Sequence, residues 1–288
     1  MENMMDILGK ILPVGEPSCS QEEAALRLCE LKAKTGNKMP GDLNENIRSD
    51  LYGYDCQKCQ NKGYVLSARE GAIVSNECEC MPIRRNLRRL RRSGLQDQVG
   101  QYTFDAFTAR EEWQKRLRDM VESYVDDARS EDCGWMFIGG QSGAGKTHIC
   151  TAACAAFINR GMDTRYMIWR DELRRLKAVA NTPEYADCIG EFSTCKVLYI
   201  DDFYKAGKDD LGRTKVTQSD IAISFEILNR RYTTKGIITI ISSELRLDQI
   251  ADIDEATAGR IAQKSKDHCM TIKADRKRNY RLKGVVEL

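Results

Sequence analysis

The sequence predicts an α/β chain: a parallel sheet between helices, preceded by a small cysteine-bearing module. Three observations carry that expectation. A glycine-rich loop at residues 140–147 lies between a short apolar run and a helical stretch. Further short apolar runs then alternate with helical patterns, the signature of βα units that feed a parallel sheet. Two close cysteine pairs stand upstream, in a chain that holds twelve cysteines. The general bounds agree. A length of 288 residues fits one large domain or two modest ones. A hydrophobic fraction of 42% and a charged fraction of 31% suit a soluble globular protein. No apolar run approaches a membrane span, and residues 1–13 lack the basic start and long apolar centre of a signal peptide, so a cytoplasmic location and no membrane partner are expected. Net charge is only +2, so any nucleic-acid contact must come from local patches.

Residues 21–34 read as an amphipathic helix with Ala24, Ala25, Leu28 and Leu31 near one face, suited to a core or to a partner. Cys56 and Cys59 form Cys-x-x-Cys, and Cys78 and Cys80 form Cys-x-Cys. Four thiolates from two close pairs suit a tetrahedral Zn²⁺, and without a secretory signal metal binding is a better reading than a disulfide framework. Between the pairs, Lys62-Gly63-Tyr64 suits a tight turn, and residues 64–66 and 72–74 read as two short strands. The segment is therefore expected to be a zinc-stapled hairpin; the alternative is four unrelated thiols. Cys19, Cys29, Cys133, Cys150, Cys154, Cys188, Cys195 and Cys269 lack such spacing and read as small core or surface residues. Arg84, Arg85, Arg88, Arg89, Arg91 and Arg92, with Leu87 and Leu90 among them, predict a basic helix that Ser93-Gly94 would stop. Such a helix is either a solvated linker or a contact to phosphate or to an acidic surface. A domain division into residues 1–93, a linker at 94–108 with Tyr102, Phe104 and Phe107, and a core at 109–288 follows. The core opens with a helix at 111–128.

Residues 140–147 read Gly140-Gln141-Ser142-Gly143-Ala144-Gly145-Lys146-Thr147, between an apolar strand at 135–138 and a helix at 148–159. That order is the context a phosphate-binding loop needs. Its glycines let backbone N–H groups turn around a phosphate chain, Lys146 reaches the β- and γ-phosphates, and Thr147 offers its hydroxyl to Mg²⁺. The helix N-terminus adds partial positive charge. His148 adjoins the loop and counts with it as a nucleotide-binding position, but reads as a packing residue without chemistry of its own. Next come a strand at 164–168 and a basic helix at 170–180. Residues 197–200 form an apolar strand that ends in Asp201-Asp202, at the carboxyl end where ligands bind in open α/β sheets. Asp201 would order the Mg²⁺ shell and Asp202 would polarise the attacking water. A helix at 221–231 and a strand at 236–241 follow, and the strand leads into Ser242-Ser243-Glu244, polar groups placed to sense a γ-phosphate. Residues 257–260 open or lie within a last helix.

Taken together, these residues resemble the AAA+ ATPases of the bacterial helicase-loader branch, the DnaC/DnaI type, and the related IstB-type transposition ATPases. The resemblance covers residues 56–281. It rests on the two cysteine pairs, Tyr102-Thr103-Phe104-Asp105, Ile200-Asp201-Asp202-Phe203, and Ile241-Ser242-Ser243-Glu244 followed by Leu247-Asp248-Gln249-Ile250. The usual sensor asparagine is replaced by Glu244. The resemblance implies that Arg260 is an arginine finger acting on ATP held by a neighbouring subunit. It further implies an AAA+ core without a full helical lid, since the chain ends soon after Tyr280. The implied partners are the replicative DNA helicase, gripped by the zinc-bearing region, single-stranded DNA, and a second copy of the chain. Arg170, Arg174, Arg175 and Lys177 stand where loader-type proteins contact DNA or a partner, or else form a solvated basic face. A transposition helper that binds DNA and recruits a transposase is the competing expectation. A non-enzymatic zinc adaptor is disfavoured by the intact Lys146, Thr147, Asp201 and Asp202.

Overall fold

The computed structural model describes residues 21–39, 56–92, 100–128, 134–207 and 215–282. Chain contacts separate two compact units, which divide between Met81 and Pro82.

The first unit comprises α1 (Gln21–Lys38) and an antiparallel hairpin, β1 (Tyr64–Arg69) with β2 (Ala72–Glu77). The turn between the strands is left-handed at Glu70 and Gly71. Asn37 pins α1 to the hairpin: its amide donates to the Leu66 carbonyl at 2.9 Å and its carbonyl accepts from the Leu66 N–H at 2.8 Å. That two-sided bond orients the helix differently from its apolar pattern. Ala33 is buried, whereas Ala25, Leu26 and Leu31 are exposed.

The second unit begins within α2 (Cys80–Arg92), which the arginine run forms as expected. Arg84 is buried and Arg85 and Arg88 are exposed; the side chains of Arg89, Arg91 and Arg92, and residues 93 and 94, lie outside the described residues. The remaining elements are α3 (Glu112–Asp127), β3 (Trp135–Gly140), α4 (Lys146–Asn159), β4 (Thr164–Ile168), α5 (Trp169–Val179), α6 (Glu184–Thr194), β5 (Val197–Asp201), α7 (Gln218–Thr233), β6 (Ile238–Ser242), α8 (Leu247–Ile253), α9 (Glu255–Lys264) and β7 (Cys269–Ile272). The five core strands are parallel in the order β4-β5-β6-β3-β7. The residues of β3, β5 and β6 are buried on both faces, as parallel strands covered by helices require. One face packs on α3 and α4 through Leu117, Val121, Ile149 and Phe157; the other packs on α5, α6, α7 and α9 through Leu176, Phe192, Ile227 and Ile261. Three elements extend the expected plan, α6, α8 and β7.

The order of strands matters for the site. β6 lies between β3 and β5. Its carboxyl end, Ser242 to Glu244, therefore stands between the glycine loop and Asp201-Asp202. No helix among the described residues is long and apolar enough to cross a membrane.

Candidate functional site

The glycine loop turns on backbone that only glycine accepts. Gly140 has φ 98°, and a Cβ there would lie 2.2 Å from the Ile272 carbonyl oxygen of β7. Gly143 has φ 70°, and its Cβ would lie 2.0 Å from Asn279 Oδ1. α4 starts at Lys146, so its unpaired N–H groups and positive end point into the loop. The Lys146 ammonium donates to the carbonyls of Gly140 at 2.8 Å and Gln141 at 2.7 Å. Burial pulls the Lys146 pKa below the ordinary lysine value, against the attraction of Glu244, Asp202 and Asp201. The residues after β7 run across the loop: the Gln141 N–H donates to the Ile272 carbonyl at 3.1 Å and the Tyr280 N–H to the Gly143 carbonyl at 2.9 Å. Gln114 of α3 donates to the Tyr280 hydroxyl.

Asp201 sits at the carboxyl end of β5 and is buried. Thr147 donates to its Oδ1 at 3.2 Å, so the loop and the acidic strand meet as the spacing predicted. Three further hydroxyls fix this carboxylate: Tyr199 reaches Oδ1 at 2.8 Å, Tyr166 reaches Oδ2 at 2.7 Å, and Ser242 donates to Oδ1. Tyr199 was readable as a neighbour, because strand residues two apart share a face. Tyr166 was not, because it depends on the β4–β5 register that sets it opposite Tyr199.

Asp202 adopts left-handed backbone, φ 55°, and its Oδ2 pairs with the Lys205 ammonium at 2.8 Å. Lys205 also lies 3.2 Å from Glu244 Oε1, which accepts from the Ser142 hydroxyl at 2.9 Å. For Lys205, burial works downward on the pKa but the carboxylates of Asp202 and Glu244 outweigh it, leaving it raised. For Glu244, burial works upward, and the Ser142 hydroxyl and Lys205 outweigh it, holding the carboxyl below its usual range. Of the polar groups after β6, Glu244 faces the loop, whereas Ser243 is buried with its hydroxyl on the Phe203 carbonyl at 2.7 Å.

A cavity of about 260 Å³ joins these groups; Lys146, Thr147, Asp202, Lys205 and Glu244 make up the charged part of its lining, and Tyr102 and Phe107 are aromatic residues of the same lining. His148 lines it too. Its ring stacks on Tyr102 at 4.7 Å and meets the Phe107 edge at 5.4 Å, while Nε2 contacts the Thr103 carbonyl at 2.9 Å. The cavity can thus take a flat apolar group against its rings and an anion against its charged groups.

Arg260 is not among the residues lining that cavity. Its guanidinium lies over the rings of Phe225, at 4.7 Å, and Tyr232, at 5.7 Å, and bonds the Ala256 carbonyl at 2.8 Å. The basic helix α5 is less free than its composition suggested. Arg174 pairs with Asp171, Arg175 with Glu172, and Lys177 with Asp220; Arg170 is exposed.

In the first unit, the four sulfurs of Cys56, Cys59, Cys78 and Cys80 are buried and lie within 4.8 Å of one another. Sulfurs of Cys56 and Cys78 are 3.7 Å apart, and those of Cys59 and Cys80 3.6 Å. A tetrahedron with metal–sulfur bonds of roughly 2.3 Å has edges of about 3.8 Å, so the residues fit a tetrathiolate metal site. The Gly63 N–H donates to Cys59 Sγ at 3.4 Å. Burial works to raise the Cys59 pKa, but that N–H and the neighbouring thiols outweigh it and bring it to about 7. Of the other cysteines, Cys150, Cys154 and Cys195 are buried, Cys29 and Cys188 half-buried and Cys269 exposed; Cys19 and Cys133 lie outside the described residues.

Comparison with known proteins agrees with this geometry. The family model described as IstB-like ATP binding protein matches residues 55–286. The phage-like element PBSX protein XkdC of Bacillus subtilis (strain 168) is 31% identical over 255 residues, 82% of this chain and 90% of that protein. The uncharacterised protein YqaM of the same organism is 29% identical over 215 residues, 72% of this chain and 67% of YqaM. Among solved structures, the replication initiator DnaA bound to AMPPCP and single-stranded DNA is similar with a TM-score of 0.51 at 18% identity, over 63% of this chain and 53% of that one. AMPPCP-bound DnaA from Aquifex aeolicus is similar with a TM-score of 0.50 at 19% identity, over 65% of this chain and 57% of that one. The chain therefore spans little more than half the length of these two structures, and the likeness to them is one of fold. With its AAA+ P-loop core and a family match across most of its length, the chain belongs to the IstB-like ATP-binding protein family.

Proposed function

We propose that the protein is a DNA-dependent ATPase that loads a replicative helicase onto single-stranded DNA. The observation that carries the ATPase part is the cavity that Lys146 and Thr147 share with Asp202, with Thr147 bonded to Asp201 at the end of β5. Thr147 and Asp201 would hold Mg²⁺, which supplies charge neutralisation to the phosphates when bound. The loop from Gly140 to Gly145 and Lys146 orient the phosphate chain, and Asp202 accepts hydrogen bonds from the attacking water. Tyr102, Phe107 and His148 shelter the base end from solvent. Arg260 lies outside its own chain's cavity, which supports a role as a finger toward a neighbouring copy. Cys56, Cys59, Cys78 and Cys80 hold Zn²⁺, and the region 1–93 that it stabilises grips the helicase. XkdC, the relative from a phage-like element, supports a setting in mobile-element replication.

The family model's kinship to IstB favours a second reading, a transposition helper that recruits a transposase. A capture experiment with the full chain and ATP separates the two. Recovery of the host's replicative helicase, with hydrolysis stimulated by single-stranded DNA, is expected. Recovery of a transposase, with preference for duplex DNA, would replace the first reading by the second.

A further inference from the structure

The turn after β5 carries a cation that the roles above leave unused. Lys205 lies three residues beyond Asp202, and the backbone between them is left-handed at two non-glycine residues, Asp202 (φ 55°) and Tyr204 (φ 56°). L-residues disfavour that conformation, and it persists only where the surroundings impose it. Here they do. Phe203 and Tyr204 are fully buried and their rings stack at 4.1 Å. The Phe203 N–H donates to the Ser242 carbonyl at 2.8 Å, and the Tyr204 hydroxyl pairs with Ser224 at 2.6 Å. With the two rings anchored inward, Asp202 and Lys205 emerge on one side, closed into a tight turn by the Lys205 N–H on the Asp202 carbonyl at 2.9 Å.

The result is a chain of polar contacts across the charged part of the cavity. Ser142 at the loop tip bonds Glu244, Glu244 pairs with Lys205, and Lys205 pairs with Asp202. All four line the same cavity as Lys146. Two carboxylates facing a site for a polyphosphate would repel it. An ammonium between them cancels part of that repulsion and has three donors to share. The rings of Tyr102 and Phe107 suit a base, and the polar chain of Ser142, Glu244, Lys205 and Asp202 suits the far end of a phosphate chain.

We propose that Lys205 is a second phosphate-contacting cation of the nucleotide site, supplied in cis, which recognises the terminal phosphate of a nucleoside triphosphate. This rests on the reading of the cavity as the ATP site. Lys205 is held by Asp202 and Glu244, and a terminal phosphate takes over part of that pairing. The site then distinguishes triphosphate from diphosphate without help from a neighbouring subunit.

The test is the affinity of the full chain for AMPPCP and for ADP, each with Mg²⁺, measured by calorimetry. Lys205 is half-exposed, so its removal leaves the fold in place. Lys205→Ala is expected to weaken AMPPCP about tenfold, the order of one charge-assisted hydrogen bond, while ADP changes less than about twofold. Most of the AMPPCP deficit is expected to remain when Glu244→Gln is added, because the donors to the phosphate are still missing. An equal loss for both nucleotides, no loss for either, or full recovery in the double variant would overturn the proposal. If the unaltered protein binds neither nucleotide, the ATP-site reading fails instead; if it binds both and Lys205→Ala keeps their ratio, only the role of Lys205 fails.

Discussion

At the scale of single residues, Asp201 accepts from Thr147, Tyr166, Tyr199 and Ser242, each on a different element. Four hydroxyls, with the Asp202 N–H on Oδ1 at 3.1 Å, leave its carboxylate one orientation, so a cation arriving beside Thr147 meets an oxygen already in place. Tyr166→Phe keeps the ring, which packs in the core beside Val197 and Tyr199, and removes only the hydroxyl. The expected cost is about 1–2 kcal/mol of stability, seen as a lower Tm, because the bond is buried and its acceptor charged. The Mg²⁺ concentration needed for half-maximal nucleotide binding should rise several-fold; an unchanged Mg²⁺ dependence would show that Asp201 holds its place without Tyr166. Lys146→Ala is the sterner test. Its ammonium is buried against the loop carbonyls of Gly140 and Gln141. Nucleotide affinity should fall beyond detection, and normal affinity would remove the loop from the mechanism. The sequence makes Lys146, Thr147, Asp201 and Asp202 legible because local spacing alone defines them. Tyr166, Lys205 and the aromatic part of the cavity are not legible in that way. They depend on strand register, on a strained turn and on a contact between the 102–107 segment and α4.

At the scale of elements, the same contrast explains which parts of the fold the pattern reveals. β3, β5 and β6 are buried on both faces, so their apolar runs stand out. β7 has four residues and only one buried side chain, because it is an edge strand paired with β3 alone. α6 begins after Pro183 and buries only Ile189, Phe192 and Ser193, too few for a clear period. The link between α6 and the sheet is Arg231 of α7, which is fully buried. Its guanidinium donates to the carbonyls of Phe192 and Cys195 at 2.9 Å, to Thr239 Oγ1 at 2.9 Å and to the Ile238 carbonyl at 2.6 Å. Burial works to lower its pKa, with Cys195 opposing. Arg231→Met retains bulk but strands those acceptors, and should cost about 3–5 kcal/mol, read by denaturant unfolding. A loss under about 1 kcal/mol would mean that water reaches those carbonyls. The cysteine hairpin was legible for the opposite reason: its cysteine spacing is local. Cys56→Ser should abolish binding of one Zn²⁺ per chain in metal analysis and loosen the first unit. A metal-free protein with the hairpin intact would return the four thiols to ordinary packing.

At the scale of the whole molecule, the question is whether one chain contains a complete ATPase. Its cavity holds Lys146, Thr147, Asp202, Lys205 and Glu244, while Arg260 lies elsewhere, over Phe225 and Tyr232. Phe225 is itself 38% exposed, so this cationic site is at the surface rather than in the core. An arginine held by two rings and one carbonyl, with no acidic partner among the described residues, keeps a defined position and leaves its charge available to another chain. If Arg260 completes the site of a neighbouring copy, Arg260→Ala should bind ATP normally yet lose hydrolysis by at least about tenfold, toward the roughly thousandfold contributed by fingers in trans. Loss alone does not locate the arginine. Mixing does. Lys146→Ala cannot hold ATP but still carries Arg260; Arg260→Ala holds ATP but lacks the finger. In a mixed assembly some Arg260→Ala sites face an intact Arg260 of the other variant. Hydrolysis by an equal mixture should therefore exceed the sum of the two variants alone, and should rise with protein concentration as assembly does. A mixture no more active than that sum would assign Arg260 to its own chain or to structure, and the site would have to be complete in a single copy.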